Sequence, residues 1–121
     1  MSTDLKSTTT TNNDTAVKDD RGKWRMSLIS SVAMRDIGMV LDFGTKKYAE
    51  HNWRKGFIWS RLFDAAMRHL FAWLAGEDNA KDSGLPHLAH AACNLIFLLE
   101  FKETNKGTDD RFPVPEYLSV D

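Results

Sequence analysis

The sequence predicts an all-α fold: a small helical bundle built on a central antiparallel helix hairpin and completed by oligomerisation. Three observations carry that expectation. Apolar residues recur at the helical period in three segments, and no segment alternates apolar and polar residues as a half-buried strand does. The third segment, residues 85–101, is apolar on nearly every side, with Leu85, Leu88, Leu95, Ile96, Phe97, Leu98, Leu99 and Phe101 spread around the wheel. Such a helix must be buried. Two neighbours cannot cover all of it, so a homo-oligomer, dimer or tetramer, is expected to take up the excess.

In chain order, residues 1–20 are rich in Thr, Asn, Asp and Ser and hold almost no large apolar side chain, so they cannot repay the entropy of ordering. A disordered tail is expected there. A domain over residues 21–103 then opens on RGKWR, where cations surround Trp24; the reading is an anchoring aromatic with solvated charges, or Lys23 and Arg25 reaching phosphates. Ser30 and Ser31 are good N-caps for a first helix over residues 32–43, whose apolar face is Ala33, Ile37, Val40 and Leu41, with Gly44 as its stop. Between two glycines, GTKKYAEHNWRKG sets Lys46, Lys47, Arg54 and Lys55 around Tyr48 and Trp53. Cations that meet phosphates beside rings that stack on a base suit a nucleotide or a single-stranded nucleic acid, although on composition alone a solvated turn stands slightly ahead.

Ser60 is placed to cap a second helix over residues 60–75, apolar through Leu62, Phe63, Ala66, Met67, Leu70, Phe71, Trp73 and Leu74. Its polar stripe is Arg61, Asp64 and Arg68, with His69 beside the apolar arc. Gly76 ends this helix and Pro86 opens the third as a first-turn residue, so a short loop joins two long helices into an antiparallel hairpin. Residues 104–121 read as an extended tail around Pro113 and Pro115, with Phe112, Tyr117 and Leu118 available to pack on the body.

The candidate chemistry lies at the turn of that hairpin. His87, His90 and Asn94, spaced i, i+3 and i+7, line one narrow stripe of an otherwise apolar helix. A buried polar group without a partner costs roughly 1–3 kcal/mol, so this stripe must be satisfied. Glu77, Asp78 and Asp82 stand just upstream, and Arg68 and His69 reach the same end. One reading is structural, with loop carboxylates bonding core histidines. The other is a divalent-metal or phosphate site in which two imidazoles on one helix face and nearby carboxylates complete a shell.

Composition narrows the class. A chain of 121 residues with 42% hydrophobic content has room for one domain and a modest core. A formal net charge of −1 lacks the basic excess of a typical nucleic-acid binder. The single cysteine, Cys93, has no partner in the chain for a disulfide, and no signal pattern or membrane-length apolar run occurs. The expectation is a soluble protein of the cytoplasm.

Taken in order, RGKWR, G-T-K-K-Y-x-x-x-N-W-R-K-G, R-H-L, G-E-D and S-G-L-P-H-L-A-H-A-x-x-N resemble the dATP/dGTP diphosphohydrolase family commonly found in bacteriophages, over roughly residues 20–100. That family is grouped with the all-α, MazG-like nucleoside triphosphate pyrophosphohydrolases. The resemblance implies cleavage between the α and β phosphates to a monophosphate and pyrophosphate. It also implies magnesium held by paired acids, Glu-x-x-Glu and Glu-x-x-Asp, on facing helices. This chain departs there: His87 and His90 stand at the second acid pair, and Ala80 stands where an acid commonly follows G-E-D, with Asp82 near enough to take over. Magnesium prefers oxygen ligands, whereas a histidine pair favours manganese, cobalt, nickel or zinc.

The expected function is therefore metal-dependent hydrolysis of purine deoxynucleoside triphosphates, with Mg2+ or Mn2+ on Glu77, Asp78, Asp82, His87 and His90. Catalysis falls to His69, Glu77, His87 and His90. Lys47, Arg54, Lys55 and Arg68 would neutralise the departing pyrophosphate, Tyr48 or Trp53 would stack on the base, and Asn52 or Asn94 would bond to base or sugar. The rival reading is a non-catalytic nucleotide or single-stranded nucleic-acid binding module. An HD-type phosphohydrolase is disfavoured because the chain has no His-Asp dipeptide.

Overall fold

A computed structural model describes residues 15–115. The tail expected over residues 1–20 lies outside the described residues as far as residue 14, as do Tyr117 and Leu118. The chain divides into two units, Met1–Ser30 and Ser31–Asp121. In the first, Arg21 closes an ion pair on Asp19 at 2.9 Å, the Lys23 N–H bonds to the Asp20 carbonyl, and a 3₁₀ turn follows at Met26–Leu28. Trp24 is 88% exposed rather than anchored.

The second unit is all-α. It holds α1 (Ser31–Gly44), α2 (Trp59–Leu74) and α3 (His87–Thr104), with a 3₁₀ turn at Asn52–Lys55 and, among the described residues, no strand beyond two isolated bridges. None of these helices is long and apolar enough to cross a membrane. The centre is α3: α1 and α2 each pack on it and not on one another. The antiparallel hairpin forms as expected, with His69 meeting His87 at its turn and Phe57 meeting Phe101 at its open end.

Each helix end has a local cause. After α2, Gly76 takes the left-handed conformation (φ 100); its N–H bonds to the Trp73 carbonyl and that of Glu77 to Ala72, which satisfies the last carbonyls and sends the chain back. After α3, Asn105 is left-handed (φ 55), and its N–H and that of Lys106 both reach the Phe101 carbonyl. Ser60 is not the cap of α2. It lies inside the first turn behind Ile58, and its N–H and hydroxyl donate to the Asp110 carboxylate at 3.0 and 2.5 Å. A carboxylate from beyond α3 thus caps α2, where the helix dipole favours a negative charge. The hydrogen bonds from Ser60 hold the Asp110 carboxyl below its usual range.

The core is small. Val40, Ala89 and Cys93 form its α1–α3 centre with Ile37, Leu85 and Phe97 around them; Leu62 and Ala66 bury the α2 face; Phe101 is fully buried. Apolar surface remains uncovered, with Leu88, Leu95 and Leu99 exposed on α3 and Phe63, Phe71 and Leu74 on α2. Phe112 is 92% exposed and does not pack on the body.

The segment after α3 returns to the start of α2. The Thr108 N–H bonds to the Phe57 carbonyl, the Trp59 N–H to the Thr108 carbonyl, and the Trp59 indole N–H to the Lys106 carbonyl. Gly107 permits the approach: its φ is 75°, and a Cβ there would sit 2.2 Å from the Phe57 carbonyl oxygen. Gly107→Ala is expected to destabilise the fold by about 2–4 kcal/mol, from the left-handed conformation plus a backbone clash. Urea unfolding checks this, and a change under 1 kcal/mol would sink it.

Candidate functional site

Three elements build the site: the C-terminal half of α2, the loop of residues 76–86, and the first turns of α3. The loop is folded tightly on itself. The Ala80 N–H bonds to the Leu85 carbonyl, the Gly84 N–H to Ala80, and the His87 N–H to the Asp78 carbonyl, each at 2.8 Å, with Ala80 buried beneath. This closure sets Glu77 beside the start of α3.

A hydrogen-bonded chain results. Glu77 Oε1 lies 2.6 Å from His87 Nε2, and His87 Nδ1 lies 2.8 Å from His69 Nδ1. With both rings neutral, one assignment satisfies every group. The carboxylate accepts from His87 Nε2–H, so His87 Nδ1 carries a lone pair and accepts from His69 Nδ1–H. The lone pair of His69 is then on Nε2, free to take a proton. His87 is only 6% exposed, so its two bonds answer the cost of burying an imidazole. His90 completes the cluster: its ring stacks on that of His69 at 4.5 Å with 8° between planes, and its Nε2 is 2.8 Å from the Ser83 hydroxyl.

Electrostatics follow from this packing. Burial, and then the neighbouring His90 and His87, push the His69 imidazole below its usual range; burial does the same to His90. Both rings therefore favour the neutral, proton-accepting form. Each stabilises the fold fully above the unfolded value near 6.5, and that contribution is lost as pH falls through the lower folded value. The His87 hydrogen bond holds the Glu77 carboxyl low, and the Lys47 hydrogen bond does so for Asp82. Burial pushes the Cys93 thiol up to about 11, so it is no nucleophile at neutral pH.

Of the residues singled out from sequence, His69, Glu77, His87 and His90 come together. Lys47 pairs with Asp82 at 3.3 Å, and Arg68 is exposed beside His69, near enough for its charge to act on that ring. Asp78 is exposed and contributes its backbone carbonyl. Asn94 donates to the His90 carbonyl of its own helix. The 3₁₀ turn lies apart. Trp53 stacks on Phe97 at 4.4 Å, and Arg54 bonds to Glu100 at 2.7 Å and to His51 Nδ1 at 3.0 Å. Asn52 is half-buried, while Lys55 and Tyr48 are exposed. Ser83 and Glu100 were missed, although His90, as a polar exception on an apolar helix, called for a partner such as Ser83.

The donors do not fit the magnesium that the family resemblance implies. Among the described residues no three His, Cys, Asp or Glu side chains are grouped to hold a metal ion. His87 has both nitrogens engaged, Glu77 faces His87 and Lys81, and Asp82 faces Lys47.

Fold and site together define a small all-α hairpin protein with a hydrogen-bonded Glu77–His87–His69 chain at its turn. More particularly, the chain belongs to the family described as dATP/dGTP diphosphohydrolase, N-terminal, which matches residues 13–111. A dATP/dGTP diphosphohydrolase of Salmonella phage PMBT28 is 36% identical over 97 residues, covering 80% of this chain and 33% of that protein. The chain thus spans about a third of the length of that curated relative. No solved structure matches.

Proposed function

We propose that this chain hydrolyses purine deoxynucleoside triphosphates, dATP or dGTP, to the monophosphate and pyrophosphate, with His69 as general base. The Glu77–His87–His69 chain carries this reading, because it leaves a lone pair on an imidazole whose charge, once formed, a carboxylate stabilises through a second ring. Water attacks the α-phosphorus; its oxygen bonds to phosphorus as the bond to the bridging oxygen breaks. The water proton passes to His69 Nε2 and pyrophosphate leaves. Lys47 and Arg68, whose charges act on His90 and His69, offset the negative charge that develops on the departing group. The apolar stripe of Leu88, Leu95 and Leu99 supports the homo-oligomer expected from sequence.

The test is product identity. Purified protein is incubated with each deoxynucleoside triphosphate in magnesium, manganese or chelator, across pH, and the products are separated by chromatography. dAMP or dGMP with pyrophosphate is expected, with the acid limb of kcat/KM below pH 6.5, since the His69 value is lowered from 6.5. The chelator arm decides whether the divalent metal is required. Binding without turnover in any metal would overturn the hydrolytic reading and leave a nucleotide-binding module.

A further inference from the structure

A cleft of about 480 Å³, open to solvent, runs along α1 beside the loop that precedes α3. Its α1 wall is a single helical stripe, Arg35, Gly38, Met39, Asp42 and Phe43, continued by Lys46 in the turn that follows, and Ser83 and Leu85 face it. Its lining is mixed, with Met39, Phe43 and Leu85 beside Arg35, Asp42, Lys46 and Ser83, which offers a ring both an apolar surface and polar groups. We propose that this cleft is the base-binding subsite of the nucleotide, an inference that rests on the nucleotide reading above.

Orientation comes from two contacts. Just beyond α1 the ammonium groups of Lys46 and Lys47 lie 5.6 and 5.3 Å from the centre of the Phe43 ring, and Lys47 pairs with Asp82, the neighbour of Ser83, so positive charge for phosphate stands at the Ser83 end of the cleft. Ser83 joins the cleft to the relay, since its hydroxyl is 2.8 Å from His90 Nε2 and His90 stacks on His69. Phosphates at the Lys46 end therefore lie on the side of the relay, and the base extends along α1 toward Gly38.

Gly38 is the residue that packing does not explain. Glycine inside a helix is less favourable than alanine. Its φ is not left-handed, and no atom lies within 4 Å of a Cβ built there. Neither backbone nor neighbours require glycine, and its missing side chain leaves the helix surface beside Met39 open for a flat ring. Asp42, whose carboxylate can accept hydrogen bonds but not donate them, faces the same space and repels phosphate, so it suits the N–H edge of a base. Guanine presents adjacent N–H donors to a carboxylate and adenine a single amino group. The subsite therefore favours guanine.

The experiment compares wild type with Gly38→Met and Asp42→Asn by steady-state kinetics on dGTP and dATP and by equilibrium dialysis with dGTP. Gly38→Met gains helix propensity and meets no atom, so it is expected to fold at least as stably while raising KM about tenfold or more with kcat little changed. Asp42→Asn is expected to lower the dGTP-to-dATP ratio of kcat/KM by about tenfold. If wild type turns over and Gly38→Met keeps its KM, the cleft is not the subsite, and the relay reading stands. If wild type binds dGTP without hydrolysing it and Gly38→Met abolishes that binding, the subsite stands and the hydrolytic reading falls. Neither binding nor turnover overturns both. An unchanged base ratio in Asp42→Asn overturns the guanine preference.

Discussion

Replacing His69 with alanine is expected to lower kcat for deoxynucleoside triphosphate hydrolysis by roughly 10²- to 10⁴-fold, the range lost with a positioned general base. KM should change little, since no part of the substrate-binding argument uses this ring. The substitution also leaves His87 Nδ1 without its donor in a nearly buried setting, which costs about 1–3 kcal/mol. His69→Gln separates the two effects. Its side-chain amide can donate to His87 Nδ1 and cannot accept the water proton at neutral pH. Both variants should therefore lose activity, with His69→Gln nearer to wild type in Tm. Glu77→Gln keeps an acceptor for His87 Nε2–H and removes the charge that steadies a protonated relay, so its kcat should fall less than that of His69→Ala. A wild-type kcat in His69→Ala and His69→Gln together would remove His69 from the chemistry.

The sequence made the helices legible because each buries one face against α3, and burial of a helical face writes its period into the chain. It also made the relay partly legible. A polar stripe on an apolar helix had to be answered, and Glu77, Asp78 and Asp82 stood just upstream; Asp82 is the nearest to His87 in sequence, yet the structure pairs His87 with Glu77 at 2.6 Å. The remaining partners were hidden for a physical reason. Arg54 and Glu100 are 46 residues apart and Ser60 and Asp110 are 50 apart, so each pair exists only once tertiary packing has joined two elements. Trp53 shows the same limit from the other side. Its setting among cations fits a base-stacking ring, and only the tertiary structure shows the ring it stacks on, Phe97 of α3. Asn94 read as a ligand for base or sugar and instead returns to the carbonyl one turn back in its own helix.

Phe101→Ala is expected to be the most damaging substitution for stability, by about 3–5 kcal/mol. Phe101 has no exposed surface, and its ring lies between Trp53 at 6.1 Å and Phe57 at 6.5 Å. Neither neighbour can readily fill the hole: Trp53 is stacked on Phe97 with the Arg54 guanidinium 4.4 Å from its ring centre, and Phe57 is tied through its carbonyl to Thr108. A domain of this size has roughly 5–15 kcal/mol in all, so the variant should lose a large share of it and drop in Tm by more than about 10 °C. Chemistry should survive in the molecules that stay folded, because Phe101 lies at the open end of the hairpin and the relay at its turn. Calorimetry together with kcat per folded molecule, measured well below the new Tm, tests both halves. A small Tm change would mean that the open end closes over the cavity. A normal Tm with lost activity would mean that the two ends of the hairpin are coupled, against the local relay on which the proposed reaction depends.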